Sequence, residues 1–291
     1  MLKTVAIYGK DSDEKTKKEI VRLISEFTRL GVEVFVYQNS KNTDYYDNVL
    51  AKQFTDLSML STLPEMALSI GGDGTFLETA MNVKNSEIPI AGINTGRMGF
   101  LANISADDIE QSVGMLVNND YTIIERCCLK LEKPEHLFSG NGTSALNEIT
   151  VQKVGLRMIT IKVEVDGQHL NTYWADGLII STATGSTAYN LSAGGPILSP
   201  NDTNIVISPI SPHNLTVRPI LLSGQSKLKL TVEGRSQGFM ATCDFRSKQV
   251  PFSEEMCISM DNIKIKTVML KGMDFYSTLR NKLAWGLDRR N

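Results

Sequence analysis

The chain has 291 residues, 42% of them apolar, and sets 30 basic against 32 acidic residues for a net charge of −2. That length favours two domains with sizeable cores. The balanced charge carries no footprint for nucleic acid or a membrane surface, so an anionic ligand has to be met by a local site.

In chain order, the first hundred residues alternate short apolar runs with amphipathic stretches, the pattern of parallel strands joined by crossover helices. KTVAIYG (3–9) reads as a strand. Residues 11–31 read as a helix with a cap at Ser12 or Asp13, an apolar face of Ile20, Leu23, Ile24 and Phe27, and Gly31 closing it. VEVFVY (32–37) is a second strand, a weaker helical region runs from Tyr46 to Phe54, and MALSI (66–70) is a strand leading into GGDGT. FLETAMNV (76–83) continues as its helix, and PIAGINTG (89–96) repeats the theme.

From Tyr121 to about Leu270 the texture changes to runs rich in Val, Ile and Thr separated by turn signals, with Asp166-Gly167 a good hairpin turn. TATGSTAYNLSAGGP (182–196) interrupts them as a loop with a short helix. MDFYSTLRNKLAWG (273–286) reads as a C-terminal helix with Phe275, Leu279 and Leu283 on one face. Four cysteines show no C-x-x-C or metal-finger spacing, and no segment has the form of a secretory signal or a bilayer span; a reducing cytoplasm is the expected setting, with no membrane partner.

SIGGDGTFLETA (69–80) places a carboxylate, Asp73, inside a glycine cluster of the kind that receives phosphate. A glycine-rich turn opening a helix presents backbone N–H groups and a positive dipole end to anions, which an aspartate repels. A P-loop would need a lysine where Thr75 and Phe76 follow Gly74, and a dinucleotide fingerprint would need glycine where Leu77 stands. Two readings stay open: Asp73 is a turn residue and helix cap, or it handles a proton at the carboxyl end of a parallel strand, where open α/β sheets bind ligands. In 175–196 the hydroxyls of Ser181, Thr182, Thr184, Ser186 and Thr187 and the ring of Tyr189 suit a nucleotide, or else form a solvated loop around a core tyrosine. Asn147-Glu148 is either a ribose-binding pair or an ordinary turn.

Taken in order, GGDGTFL (71–77), INTGRMGFL (93–101), NE (147–148), DGLIISTATGSTAYNLSAGGP (176–196) and SPHNLTVRP (211–219) resemble the NAD kinase family over most of the chain. GGDGT alone also looks like the phosphate loop of lipid kinases, whereas the TGSTAY block is narrower. The resemblance implies an α/β plus all-β fold: a Rossmann-like nucleotide-binding domain over 1–104 with the last helix, 272–291, returning to it, and a β-sandwich-like NAD-binding domain over 105–271. It implies ATP-dependent phosphorylation of NAD, with Mg²⁺ or another divalent cation, in a cytoplasmic homotetramer or homodimer. The metal ligands stay open.

Carried over residue by residue, Asp73 is the catalytic base, and Gly72, Asp73, Gly74 and Thr75 line the nucleotide, with Phe100 near the same pocket. Asn147 and Glu148 match the pair on the ribose and metal side. Asp176 and the run Thr187, Ala188, Tyr189, Asn190, Leu191 and Ser192 match the acceptor-binding segment. Arg157, Trp174 and Arg246 stand at ligand-contact positions with departures from the family pattern, as do Ala183 and Met98 within the motifs. Two other functions compete: a soluble diacylglycerol- or sphingosine-type kinase, and a dinucleotide sensor without catalysis.

Overall fold

A computed structural model describes residues 1–9, 14–38, 51–96, 99–138 and 142–285. The chain divides into two units, Met1–Glu125 with Ile265–Asn291, and Arg126–Lys264.

The first unit runs β1 (Thr4–Gly9), α1 (Glu14–Arg29), β2 (Glu33–Tyr37), β3 (Lys52–Phe54), β4 (Met66–Gly71), α2 (Asp73–Val83), β5 (Ile90–Asn94), β6 (Ile104–Ser105) and α3 (Ile109–Val117). The strands pair in parallel in the order β3-β2-β1-β4-β5. The order reverses between β1 and β4, and ligands bind open α/β sheets outside the carboxyl ends of the strands at such a reversal. β4 ends there in the glycine turn, with Gly9 paired to Ile70 and Gly71 to Asn94.

Helix α1 buries the expected face, Ile20, Leu23, Ile24 and Phe27, on this sheet, and Gly31 takes the left-handed conformation (φ +78°) that ends it. The proposed caps Ser12 and Asp13 lie outside the described residues, as do Arg97 and Met98. Part of the helical region expected from Tyr46 to Phe54 also lies outside them, but Lys52–Phe54 is a strand. Its buried Phe54 sits edge-on to Tyr8 and Tyr37, and that tertiary contact overrides local helical preference. PIAGINTG gives β5, and β6 pairs with it as the next regular element in place of a helix. Helix α3 falls in the stretch assigned from sequence to the β-rich domain. Its Ile109, Val113, Leu116 and Val117 join the core formed by α1 and the parallel sheet, so the first unit extends to Glu125.

The second unit contains β8 to β17, and β7 and β18 each begin or end in it: β7 (Tyr121–Lys133), β8 (Ser144–Ala145), β9 (Glu148–Lys153), β10 (Ile159–Val165), β11 (Gln168–Ala175), β12 (Gly177–Ser181), α4 (Tyr189–Ser192), β13 (Ile205–Ile210), β14 (Ile220–Leu222), β15 (Leu228–Glu233), β16 (Phe239–Cys243), β17 (Arg246–Val250) and β18 (Met256–Leu270). One antiparallel sheet is ordered β14-β13-β12-β9-β16-β17, and β11-β10-β15-β18 form part of the other. Alternate residues of both, such as Ile161 and Val163, Leu178 and Ile180, and Leu228, Leu230 and Val232, share one buried core, as facing antiparallel sheets require. All five residues of β12 are buried. Ala183 and Leu198 of the following loop cover its second face beside Val206. The hairpin at Asp166-Gly167 forms with φ +50° and +80°, as predicted. The last helix, α5 (Phe275–Leu283), belongs to the first unit; of its expected apolar face, Leu279 is buried and Leu283 exposed.

Candidate functional site

The glycine cluster resolves the question posed by Asp73. Gly72 is the residue that caps α2, without a side-chain bond, and Asp73 is the first helical residue, so its carboxylate is not a helix cap. Instead it reaches across to the segment after β5. Oδ2 accepts the N–H of Phe100 (2.9 Å), and Oδ1 accepts those of Leu101 and Ala102 (both 3.0 Å). Gly99 packs directly beside it, and a Cβ there would overlap the carboxylate and force it to move. Gly71 holds φ +144°, where a Cβ would press on Thr75. An added Cβ at Gly72 or Gly74 meets nothing, so these two leave the backbone open to a ligand.

A carboxylate has about four lone-pair positions, two on each oxygen. Two donors fill Oδ1 and one occupies Oδ2, which leaves a single acceptor position on Oδ2. On that side lies a group the sequence gave no sign of: Lys282 of α5, with Nζ 3.8 Å from Oδ2 and 4.3 Å from the centroid of the Phe100 ring. Phe275 of the same helix lies against Phe100, centroids 6.5 Å apart. The Asp73 and Lys282 side chains are 32% and 30% exposed, so solvent or substrate can reach both.

The second constellation, in the other unit, has the same design. β9 lies between β12 and β16, which sets Glu148 opposite Ser181 and brings the hairpin joining β16 and β17 alongside. Asp244, in that hairpin with φ +50°, accepts the N–H of Leu146 on Oδ2 (2.8 Å) and those of Asn147 (2.8 Å) and Glu148 (3.2 Å) on Oδ1. Arg246 bonds the carbonyls of Gly142, Ser144 and Cys243. Expected as a ligand contact, its guanidinium here donates to these three carbonyls and so clamps the backbone. From the other side Thr182 donates its hydroxyl to the carbonyl of Leu146 (2.6 Å), and Gly185 packs so closely on the Asn147 carbonyl that no side chain fits.

So braced, the pair points two unsatisfied atoms inward: Asn147 Oδ1 and Glu148 Oε2 are buried with no hydrogen-bond partner among the described residues. Burial, and then the Asp244 carboxylate, push the Glu148 carboxyl up to about 8. Asp244 itself is raised by burial against the pull of its three N–H bonds and Arg246. Buried polar groups without partners are uncommon in native structures and mark places where a ligand completes the bonding.

In the 182–196 loop, Tyr189 begins α4 and is 38% exposed, and Thr187, Ala188 and Leu191 are half-buried beside exposed Ser192. Asn190 differs: fully buried, it donates to the carbonyls of Ser186 and Pro196 and accepts from Ser208 (2.6 Å), so its side chain shapes the loop and has no free atom for a nucleotide. Asp176 pairs with Lys153 (2.6 Å) and, with Arg157, lines an open cleft of about 900 Å³. Trp174 is half-exposed, and its carbonyl accepts the N–H of His213, a further residue of that cleft (2.8 Å).

No cluster of three or more His, Cys, Asp or Glu able to hold a metal ion occurs among the described residues. Mg²⁺ does not require one, because it commonly binds one or two protein oxygens plus substrate phosphates. The unsatisfied oxygens of Asn147 and Glu148 have the hard-donor chemistry that such a cation takes.

Comparison with known proteins gives a consistent result. The family models for the ATP-NAD kinase N-terminal domain and the ATP-NAD kinase C-terminal domain match residues 5–121 and 146–269. The chain is 43% identical over 276 residues to an NAD kinase of Cytophaga hutchinsonii, covering 94% of this chain and 91% of that one. It is 40% identical over 292 residues to an NAD kinase of Flavobacterium johnsoniae, covering 99% of both. Among solved structures, an NAD kinase from Archaeoglobus fulgidus in complex with ATP is similar with a TM-score of 0.75 at 25% identity, covering 97% and 98% of the two chains. A yeast NADH kinase complexed with NADH shares the fold, with a TM-score of 0.81 at 23% identity over 99% and 89%.

Proposed function

Because the chain belongs to the NAD kinase family, a phosphotransferase family with an alcohol group as acceptor, we infer that it transfers the γ-phosphoryl group of ATP to the 2′-hydroxyl of the adenosine ribose of NAD, giving NADP, with Asp73 as general base. The observation that carries the assignment of Asp73 is the one acceptor position left on Oδ2 after three backbone donors have fixed the carboxylate. A base so held loses no orientational freedom when the hydroxyl arrives.

The ribose hydroxyl donates its hydrogen bond to Oδ2, and its oxygen attacks the γ-phosphorus as the proton passes to the carboxylate. The bond from the γ-phosphorus to the β–γ bridging oxygen breaks, ADP leaves, and Asp73 returns the proton to solvent. The N–H groups opened by Gly72, Gly74 and Thr75 receive phosphate oxygens. A divalent cation, when bound, neutralises phosphate charge; Asn147 and Glu148 would hold it or the ribose hydroxyls. Tyr189 offers its ring to a base, with Thr187, Ala188, Leu191 and Ser192 as walls, and Asp176, Arg157 and Trp174 contact outer parts of the dinucleotide. Asn190 and Arg246 act behind these groups by holding the backbone that carries them.

The family reading brings with it a cytoplasmic homo-oligomer, a tetramer or a dimer, which light scattering on the purified chain tests. No described helix is long and apolar enough to cross a membrane. The reaction is tested by incubating the chain with NAD, ATP and Mg²⁺ and following NADP with a dehydrogenase specific for it. NADP should accumulate and cease to do so after exhaustive chelation. Phosphorylation of diacylglycerol in place of NAD, or binding of NAD without turnover, would overturn the proposal.

A further inference from the structure

The described part of the glycine turn, Gly71 to Thr75, contains no cation, yet the reaction brings a polyphosphate to it. The fold supplies one from just over two hundred residues away. Lys282 projects from α5 to within 3.8 Å of Asp73 Oδ2, too far for a hydrogen bond, and its ammonium rests over the Phe100 ring. Among the described residues it donates no hydrogen bond, so its three donors are held in place and unused. The position is specific: Phe100 gives its N–H to Asp73 and its ring to Phe275 of α5 and to Lys282. One residue thus fixes the base and aligns the helix that carries the lysine.

We propose that Lys282 is the cation of the glycine-turn phosphate site, donating to the terminal phosphate of the triphosphate beside Asp73. The free acceptor position on Oδ2 is where the acceptor hydroxyl arrives, so a charge 3.8 Å from that oxygen stands next to the phosphoryl group in transit. Lysine suits the task because a compact ammonium on a flexible stem can leave a long contact with a carboxylate for a shorter, charge-assisted bond to phosphate. If the side chain only balanced Asp73 or anchored α5, it would have no bearing on polyphosphate affinity.

The inference rests on the assignment of phosphoryl transfer to this turn, and the experiment separates the two. Full-length wild type, K282M, K282Q and K282R are compared with ATP varied at saturating NAD, and binding of inorganic tripolyphosphate is measured by calorimetry on the same preparations. K282M and K282Q should raise KM for ATP about tenfold or more and weaken tripolyphosphate binding in parallel, the scale of one lost charge-assisted bond. KM for NAD should stay within about twofold, and K282R should recover most of the loss. Using both neutral variants guards against one that fails to fold. Wild-type KM for ATP and wild-type tripolyphosphate affinity in a folded neutral variant would overturn the inference. If the wild type does not turn over NAD, the parent assignment fails, and the calorimetric comparison still decides on Lys282.

Discussion

Asp73 in the α/β unit and Asp244 in the β-rich unit bind backbone in the same way. Each takes three successive N–H groups, the first on Oδ2 and the next two on Oδ1: Phe100, Leu101 and Ala102 for one, Leu146, Asn147 and Glu148 for the other. Their surroundings differ. Asp244 sits in a strand hairpin beside Arg246, which is itself tied to three carbonyls, so that corner is a closed clamp. Asp73 sits in a glycine turn with open backbone on either side and an ammonium 3.8 Å away. The same hydrogen-bond pattern therefore serves two ends: Asp244 holds other residues in position, whereas Asp73 is itself held in position.

Gly99→Ala would break the first half of the comparison most sharply. Its Cβ overlaps the Asp73 carboxylate, which has to move, and a displacement of about 1 Å at a reacting group is enough to cost roughly 10² in rate. We expect kcat to fall by about that factor with NAD affinity retained; an unaffected kcat would show that the position of Asp73 does not matter. Tyr189→Ala sharpens the other half. Loss of a stacked ring is worth about 1–3 kcal/mol, so KM for NAD should rise about tenfold while kcat changes little, and an unchanged KM would remove Tyr189 from the pocket.

Glu148→Gln tests the 147–148 corner through stability instead of turnover. Folding raises the Glu148 carboxyl from its ordinary 4.5 to about 8, so the folded state binds the proton more tightly and stability falls as pH rises through this interval, with the whole penalty present above it. The glutamine variant lacks that penalty. Its melting temperature relative to wild type should climb between pH of about 5 and about 8.5, by on the order of ten degrees. Parallel melting curves at all pH values would mean that Glu148 is not strained by burial.

Much of this was legible in the sequence where physics is local. Period-two and helical patterns located β4, α2 and most strands of the second unit, and the glycines flagged the turn at the carboxyl end of β4. Elements decided by tertiary contact were not legible: β3 depends on the Phe54 aromatic contacts, and α3 was hidden in a stretch read as the start of the β-rich domain. At the candidate site the motifs named Asp73, Asn147 and Glu148 but not the groups that hold them. Gly99 was in view within INTGRMGFL, one residue before Phe100, and only the fold shows it against a carboxylate. Asp244 and Lys282 had no local signal, because their partners lie about a hundred and two hundred residues away in the chain. Arg246 and Asn190 were expected at the ligand from their places in the family pattern, and the structure engages both with backbone.

The pairing of the two aspartates supplies its own control for the claim that Asp73 is the base. Asp73→Asn and Asp244→Asn each keep one acceptor oxygen and lose one charge-assisted bond, so both should destabilise by about 1–3 kcal/mol. The measurement is kcat at saturating NAD and ATP for both variants, well below their melting temperatures, with NAD affinity by calorimetry. Asp73→Asn should lose about 10²–10⁴ in kcat and still bind NAD, since an amide takes no proton. Asp244→Asn should keep kcat within a few-fold and change mainly KM for NAD through the 147–148 pair. If the two variants show the same small change in kcat, Asp73 is a second clamp and the base lies elsewhere.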